Sequence, residues 1–153
     1  ETRWTRYYLD SWERLRTESF EPHSRDGNPQ PDGFMQMPPT QTRTIQRLRY
    51  LTEPLVEDTL VIGPSALYLH AAIDQPDTNW IAILKDVGPD ESIRSARPGE
   101  MTLSANIPER EVSRGWLKAS HRAIDEARSR PWKPWHPMTR EERRDIVPGE
   151  INE

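Results

Sequence analysis

Two apolar segments in the middle of the chain carry the strongest pattern of hydrophobic and polar positions. The first runs from Leu60 to Ile62 and continues from Ala66 to Ile73, and the second runs from Trp80 to Val87; the polar residues 74–79 separate them. Both segments are short, rich in β-branched or aromatic residues, and bounded by Pro, Asp, Asn or Gly, as strands are. Successive side chains of a strand point to opposite faces, and in both segments each of the two faces carries apolar residues. The pattern therefore predicts two central strands of a layered sheet, and the prolines within this region exclude one buried helix.

Other segments alternate in the same way and predict further strands. They are residues 2–9, residues 45–51, the edge-like segment 101–107, and residues 114–122. Between the first two, residues 21–44 contain five prolines and two glycines. Such a polar segment cannot order itself by burying apolar surface. It is predicted to be a long loop within the domain, pinned by Phe34, Met35 and Met37.

The C-terminal third has fewer strand signals. Pro131–Pro137 contains too many prolines for a central strand or a helix, so it is predicted to be an extended crossover that packs Trp132 and Trp135 on the domain. Thr139 and Glu142 have capping-box spacing, which is enough for one helical turn. Several short strands, no long helix and proline-rich connections together predict an all-β sandwich.

Length and composition refine this prediction. The 153 residues are sufficient for a single domain, residues 1–153, with a core. However, only 33% of the residues are hydrophobic and 30% are charged, and the chain contains 15 prolines but only 7 glycines. This balance is typical of an irregular, loop-rich domain, or of a domain that buries part of its apolar surface against another structure, and we favour the second interpretation. Because the chain begins at Glu1 without an initiator Met and already in strand-like alternation, we expect a fragment of a larger protein.

Charge and cysteine content restrict the possible partners. The net charge is −4 with both signs interspersed, so neither nucleic acid nor an anionic membrane is an expected partner. No apolar run approaches the roughly 20 residues of a membrane span, and no leader pattern opens the chain. The absence of cysteine excludes disulfides and thiolate-metal sites and fits a reducing compartment, so the expected location is cytoplasmic.

No residue pattern in the chain predicts an active site. The segment from Gly63 to Leu67 begins like the G-x-S-x-G elbow of serine hydrolases, but Leu67 stands where the last glycine is required. Ser65 is therefore interpreted as a structural residue at a strand entry. The four histidines are widely spaced and form no metal-ligand motif. They are His23, His70, His121 and His136.

Two further groups are interpreted as structural. The aspartate pairs Asp74 with Asp77 and Asp86 with Asp90 lie beside Pro, Gly or Asn, where Asp caps the backbone amides of turns. The indoles of Trp132 and Trp135 can stack on a sugar or a peptide proline, although packing in a core or an interface is the more common use. No catalytic, cofactor-binding or metal-binding residue is assigned, and no cofactor is expected.

A series of short segments resembles the C-terminal domain of acyl hydrolases of the cocaine esterase and X-Pro dipeptidyl-peptidase family. In this sequence they are Leu48-Arg-Tyr-Leu-Thr-Glu-Pro-Leu55, Val61-Ile-Gly-Pro64, Ala72-Ile-Asp-Gln-Pro-Asp-Thr-Asn-Trp80, Leu84-Lys-Asp-Val-Gly-Pro-Asp90, Arg114-Gly-Trp-Leu-Lys-Ala-Ser-His-Arg122 and Pro148-Gly-Glu-Ile151. They occur in the family's order and span almost the whole chain. Each segment alone is weak, whereas the series is specific.

The resemblance implies a jelly-roll β-sandwich that follows an α/β-hydrolase domain with a Ser-His-Asp triad. Since the family's triad lies upstream, no catalytic residue is carried over to this chain. The parent would be a serine esterase or X-Pro dipeptidyl-peptidase. This domain would brace the catalytic domain, help to wall its substrate cleft and supply subunit contacts, including those of a homo-oligomer.

The sequence departs from the family pattern in two places. Glu91 follows Pro89-Asp90 where the family often has glycine, and the chain stops soon after the Pro-Gly-Glu segment, where members continue into further strands. The sandwich is therefore expected to be incomplete at its C-terminus, with an open edge that pairs with another chain or a missing segment. The alternative is a free-standing carbohydrate- or ligand-binding jelly-roll module that uses Trp132, Trp135 or the 21–44 loop, since the fold alone supports either role.

Overall fold

The computed structural model describes residues 3–10, 13–19, 31–88, 93–97, 100–103 and 108–153. Apart from one 3₁₀ turn at Ala119–His121, the regular elements of these residues are strands. The strands are β1 (Tyr8–Asp10), β2 (Arg14–Arg16), β3 (Asn79–Val87), β4 (Ile93–Arg97), β5 (Glu100–Leu103) and β6 (Glu109–Lys118). The predicted all-β class is confirmed.

The strands form three antiparallel two-stranded ribbons, which are β1–β2, β3–β6 and β4–β5. The chain divides into two compact units: Glu1–Thr59 with Ile93–Leu103, and Leu60–Ser92 with Ser104–Glu153. A jelly roll requires two larger sheets packed face to face. The jelly-roll sandwich therefore stays a prediction, as does a single domain over residues 1–153.

The first unit contains a short hairpin and the β4–β5 ribbon. In the hairpin, Leu9 lies opposite Leu15, and Glu13 adopts a left-handed φ of 60° immediately before β2. Leu51 pairs with this hairpin through two backbone hydrogen bonds, from its N–H to Glu13 O (2.8 Å) and from Leu15 N–H to its carbonyl (2.7 Å). Among the described residues of the strand predicted at 2–9, Tyr8 and Leu9 belong to β1, whereas residues 3–7 are not in a strand.

Two other strand predictions in this unit have different outcomes. Over residues 45–51 the prediction is wrong, because only Leu51 pairs with another backbone and Ile45 is exposed. Alternation of apolar and polar residues depends only on the side chains, whereas a strand also requires a second backbone to which it can form hydrogen bonds. The predicted strand 101–107 is found as β5, and residues 104–107 lie outside the described residues. Of the predicted 21–44 loop, residues 31–44 contain no strand or helix and have one turn closed at Pro38.

The β3–β6 ribbon dominates the second unit. Its register runs from Asn79 opposite Lys118 to Val87 opposite Glu109, which confirms the predicted strand at residues 80–87. The predicted strand at 114–122 is found as β6, which starts earlier and gives way to the 3₁₀ turn. At the far end, Gly88 N–H donates to Pro108 O (2.9 Å), and a Cβ on Gly88 would lie 2.7 Å from Pro108 Cγ.

The first of the two central apolar segments, which spans residues 60–73, is not a strand, so the strand prediction for it is wrong. Within residues 60–73, only Ala71 forms a bridge, and its partner is Asn152. The segment has the right side-chain pattern but lacks a neighbouring strand along most of its length. For the same reason, the described residues do not form the layered sheet that was predicted around it.

The buried residues of the second unit gather around the 3₁₀ turn. Ala119, Ser120, Ala123 and Ile146 are buried there. The C-terminal segment is fastened to the turn because Arg144 N–H donates to Ser120 O (2.8 Å). The small side chains of the turn allow this close approach. The core therefore lies where the end of β6 meets the C-terminal segment.

The proline-rich segment 131–137 differs from the predicted extended crossover. Lys133 N–H donates to Arg130 O (2.8 Å), which closes a four-residue turn with Pro131 in its second position. Proline favours this position because its fixed φ matches the turn. Farther on, Glu142 N–H donates to Thr139 Oγ1 (3.3 Å), as the capping spacing predicts, but the segment forms a turn and not a helix.

Candidate functional site

Asp77 organises the most densely bonded polar cluster of the second unit. One carboxylate oxygen, Oδ1, accepts hydrogen bonds from Thr78 N–H (3.0 Å) and Ser120 N–H (3.0 Å). The other, Oδ2, accepts from Ser120 Oγ (2.7 Å) and lies 3.1 Å from Lys118 Nζ. Asp77 therefore ties the turn before β3 to the 3₁₀ turn after β6.

The charge of Asp77 is stabilised by this environment. Burial alone would raise the pKa of the carboxyl group, but the hydrogen bonds from Ser120, Lys118 and Thr78 outweigh burial and lower the pKa to about 2. Hydrogen bonding to the charged form of a carboxylate has this effect in general. Asp77 is consequently an anion throughout the neutral range and a poor general acid or base.

Ser120 is the partner of Asp77 and is unsuited to nucleophilic attack. Its side chain is completely buried, and its hydroxyl donates to the carboxylate of Asp77. A nucleophilic serine must reach the substrate and must be hydrogen-bonded to a base that accepts its proton. The cluster is therefore structural, which agrees with the sequence interpretation of Asp77 as a turn residue.

The other candidates from the sequence are scattered. Ser65 is exposed and follows Gly63, whose φ is 95°. His70 is exposed, and its Nε2 lies 4.0 Å from Glu153 Oε1. His136 Nδ1 lies 3.0 Å from the carbonyl of Ala123. His121 ends the 3₁₀ turn and is half-buried.

The remaining candidates are one histidine and three aspartates. His23 and Asp90 lie outside the described residues. Asp74 is exposed, and Asp86 faces Arg110 across the β3–β6 ribbon. In the part of the chain that the structure describes, no three His, Cys, Asp or Glu side chains come close enough together to hold a metal ion.

Trp132 lies in the turn that Pro131 initiates, and Trp135 follows two residues after this turn. The guanidinium of Arg128 lies over the ring of Trp135, 3.8 Å from its centre. Tyr68 Oη donates to the carbonyl of Pro131 (2.9 Å), so the turn is held against its own unit. Since one face of Trp135 is already covered by Arg128, packing within the unit accounts for this indole better than an open stacking platform does.

The β3–β6 ribbon carries an exposed cluster that was not singled out from the sequence. Ile81 lies directly opposite Trp116, and Ile83 is the next residue of β3 on the same face. Their exposed fractions are 61% for Ile81, 42% for Ile83 and 74% for Trp116. We call these three residues the apolar face. Alternation within each strand was visible in the sequence, but the register that places Trp116 beside Ile81 was not.

A β-bulge shapes the charged end of the same face. Leu84 pairs with Ser113 and Lys85 pairs with Glu111, so Val112 is the extra residue. Without the bulge, residues 111 and 114 would point to opposite faces. With it, Arg114 donates two hydrogen bonds to Glu111, at 3.1 and 2.6 Å, while Lys85 pairs with Glu109. The charges on this face are thus paired with one another.

Three comparisons place the chain among known proteins. The sequence profile of the X-Pro dipeptidyl-peptidase C-terminal non-catalytic domain matches residues 2–153. No curated protein and no solved structure is similar enough to the chain to match it. Within the described residues, the structure contains no helix with the length and hydrophobicity of a membrane span. Because the profile covers nearly every residue, the chain belongs to the family of X-Pro dipeptidyl-peptidase C-terminal non-catalytic domains.

Proposed function

We propose that the chain is the non-catalytic C-terminal β-sandwich domain of a serine acyl hydrolase of the acyl esterase or X-Pro dipeptidyl-peptidase type. It braces the α/β-hydrolase domain of the parent protein and shapes the substrate cleft of that domain. The observation that carries the proposal is the family match over residues 2–153. A family defined as non-catalytic supports a role in packing and cleft formation.

The polar chemistry of the second unit supports the same role. Ser120 is buried and donates to a carboxylate, while Ser65 stands exposed in an irregular segment. Neither has the arrangement of a nucleophile whose base is in turn oriented by a third group. The reaction is therefore assigned to the parent's catalytic domain.

The apolar face also supports a bracing role. Trp80, Ala82 and Leu117 lie on the opposite face of the ribbon and are half-buried, whereas Ile81, Ile83 and Trp116 are exposed. A contiguous exposed cluster that includes Trp is typical of an interaction surface. Because the charges at its end are already paired, an apolar and largely uncharged surface would cover it with least desolvation cost.

Hydrolysis assays test the proposal directly. p-Nitrophenyl acetate and an X-Pro-p-nitroanilide are offered to this chain, to the full parent protein, and to a parent variant that lacks its nucleophilic serine. Turnover is expected only with the intact parent. Saturable turnover by residues 1–153 alone would contradict the proposal, and Ser65, His70 and His121 would then be the first positions to substitute.

The alternative, a free-standing carbohydrate- or ligand-binding module, depends on Trp132 and Trp135. Both indoles are partly exposed, but the contact of Arg128 with Trp135 favours internal packing. Sugar binding would change tryptophan fluorescence, and the change would disappear in Trp132→Ala. Fluorescence that stays constant over a panel of oligosaccharides is the expected result.

Two further parts of the proposal concern assembly and location. Subunit contacts within a homo-oligomer are proposed as a second use of the apolar face, and sedimentation of the parent and of its Trp116→Ser variant would reveal them. A cytoplasmic location is proposed because the chain has no cysteine to protect or to pair. Cell fractionation of the parent protein checks the location.

A further inference from the structure

The segment from Asp32 to Tyr50, which we call the arm, is held in shape by side chains. At its base, Tyr50 Oη donates to Asp32 Oδ2 (2.8 Å). Burial and this hydrogen bond raise the pKa of Tyr50, so its hydroxyl stays a donor at neutral pH. Midway, Gln36 Nε2 donates to Thr44 O (3.2 Å), and Gln36 Oε1 accepts from Gln46 N–H (2.7 Å). The arm therefore has a defined shape, although none of its residues lies in a strand.

The arm presents apolar side chains to its surroundings. Five large ones are exposed, and they are Phe34, Met35, Met37, Ile45 and Leu48. Met35 and Ile45 are the most exposed, at 78% and 81%. Residues 33–42 contain no charged side chain, although 30% of the whole chain is charged. Depletion of charge together with Met and aromatic residues is typical of the core of a protein interface.

The second half of the arm adds positive charge. With Arg43, Arg47 and Arg49 against Asp32, the arm has a net charge of +2. Because the whole chain carries −4, the residues outside the arm carry −6. Arg43 and Arg47 are exposed and form no ion pair with any residue that the structure describes. The arm thus offers apolar surface and two unpaired cations.

Residues 53–58, which we call the acidic segment, have the complementary composition. Leu55 and Val56 are 58% and 97% exposed. The three acidic side chains of the segment are exposed and have no ion-pair partner among the described residues, and they are Glu53, Glu57 and Asp58. Leu51, whose backbone is bonded to the β1–β2 hairpin, separates the segment from the arm. The arm and the acidic segment therefore start from one fixed point of the first unit.

We propose that the arm docks on the acidic segment of a second copy of this chain, in a dimer with twofold symmetry. Such a dimer requires a self-complementary surface, because each copy contributes the same residues to both halves of the contact. The arm and the acidic segment supply this surface, since one is apolar and cationic and the other is apolar and anionic.

The size of the two segments fits a dimer interface. The arm has 19 residues and the acidic segment has six, so together they comprise 25 residues of each copy. A stable interface takes roughly 20–30 residues from each partner. The arm alone falls short of that range, whereas a reciprocal exchange of arms reaches it.

Charge distinguishes a second copy from other occupants. A purely apolar partner would leave the cations of the arm without counter-charges. A nucleic acid or an anionic membrane would be repelled by the acidic segment, which lies only two residues beyond the arm along the chain. The inference does not rest on the proposed function, since it places self-association in the first unit, whereas the apolar face belongs to the second.

Sedimentation equilibrium of residues 1–153 and of two charge-reversed variants tests the proposal. The first variant, Arg43→Glu with Arg47→Glu, makes the arm acidic. The second, Glu57→Lys with Asp58→Lys, makes the acidic segment basic. The wild-type chain is expected to dimerise. Each variant alone should dimerise roughly tenfold more weakly, because like charges then face each other in both halves of the contact.

A mixture of the two variants supplies the sharpest comparison. In a mixed dimer, the acidic arm of one chain meets the basic segment of the other, and the second arm and segment keep their original charges. An equimolar mixture is therefore expected to regain the dimerisation of the wild-type chain. Such recovery requires both variants to be folded. At about 1 M salt, where the Debye length is about 3 Å, the differences among the chains should shrink.

The control for net charge is Lys133→Glu with Arg140→Glu, which changes the charge by the same amount at exposed positions of the second unit. Its dimerisation should equal that of the wild-type chain. Equal weakening in the control, wild-type dimerisation in either charge-reversed variant, or a mixture that stays monomeric would each overturn the inference. A monomeric wild-type chain, with thermal stability lost in a parent protein that carries the acidic arm, would identify the catalytic domain as the occupant instead.

Discussion

Asp77 shows how one turn residue can connect two distant segments. The sequence predicts that an aspartate beside Pro76 caps the backbone of its own turn, and it does so through Thr78 N–H. Only the folded chain adds Ser120 and Lys118, which are more than forty positions away along the sequence. The local half of the role was therefore predictable and the long-range half was not.

The pKa of Asp77 predicts a dependence of stability on acid. The folded-state pKa of about 2 lies below the ordinary 3.8, so the carboxylate stabilises the fold above pH 4, and this contribution is lost as the pH falls toward 2. We expect Asp77→Asn to destabilise the chain by about 1 kcal/mol at pH 7, since solvent access weakens the effect.

Urea unfolding at a series of pH values measures this effect. The difference between the wild-type chain and Asp77→Asn should shrink as the pH is lowered to about 2. Asp74→Asn is the matched control, because Asp74 belongs to the same turn and is exposed. A pH-independent difference for Asp77→Asn would show that the carboxylate charge does not matter.

Gly88 is required for a close approach at the end of the β3–β6 ribbon. An added Cβ would meet Pro108 Cγ at 2.7 Å, so the proline ring and the hydrogen bond from Gly88 N–H to Pro108 O must shift. Gly88→Ala is therefore expected to lower the free energy of unfolding by about 1–3 kcal/mol. Gly115→Ala is the control, since nothing lies within 4 Å of its Cβ position. Equal thermal stability of the two variants would contradict the steric argument.

At the scale of elements, β3 and β6 show what alternation can predict. β3 and the second half of β6 were expected from their sequences, and both strands are present because they are long and lie opposite each other over their whole length. The segment at residues 60–73 has a comparable pattern, yet only Ala71 pairs. Period-two alternation reports which side chains face the protein, but a strand also depends on a second backbone that the pattern does not contain.

The apolar face yields a prediction that separates stability from docking. Trp116→Ser removes an indole that is already exposed, so the isolated chain should lose no more than about 0.5 kcal/mol of stability. If the catalytic domain covers the face, the parent protein carrying this substitution should lose thermal stability by several degrees. Val147→Thr, also at an exposed position, is the control. Equal melting temperatures of the parent and its Trp116→Ser variant would exclude the face as the interdomain contact.

At the scale of the whole chain, only 33% of the residues are hydrophobic, and many of the large hydrophobic residues are exposed. Both observations indicate that the chain buries little apolar surface by itself. The sequence composition predicted a domain that obtains part of its burial from a partner. In the second unit, the described buried hydrophobic side chains are Ala119, Ala123 and Ile146, whereas much larger residues such as Trp116 and Leu60 are exposed. The large apolar residues are thus available for further contacts.

This availability can be measured on the isolated chain. Residues 1–153 are expected to associate or to bind a hydrophobic dye, because the apolar face is exposed. Light scattering and dye fluorescence, compared between this chain and the full parent, test the expectation. A monomer that binds no dye would show that the exposed residues are covered within the chain itself.

The sequence by itself determined the all-β class, the strand at residues 80–87, the second half of β6, the capping contact of Thr139 and the family. These features follow from local rules, since alternation, turn residues and short motifs act over a few neighbouring positions. Tertiary structure alone decided that β3 pairs with β6, that Val112 forms a bulge, that Asp77 bonds to Ser120, and that Asn152 pairs with Ala71. Each of these depends on which distant backbone or side chain fills a given hydrogen-bonding position, and that choice is made only when the chain packs.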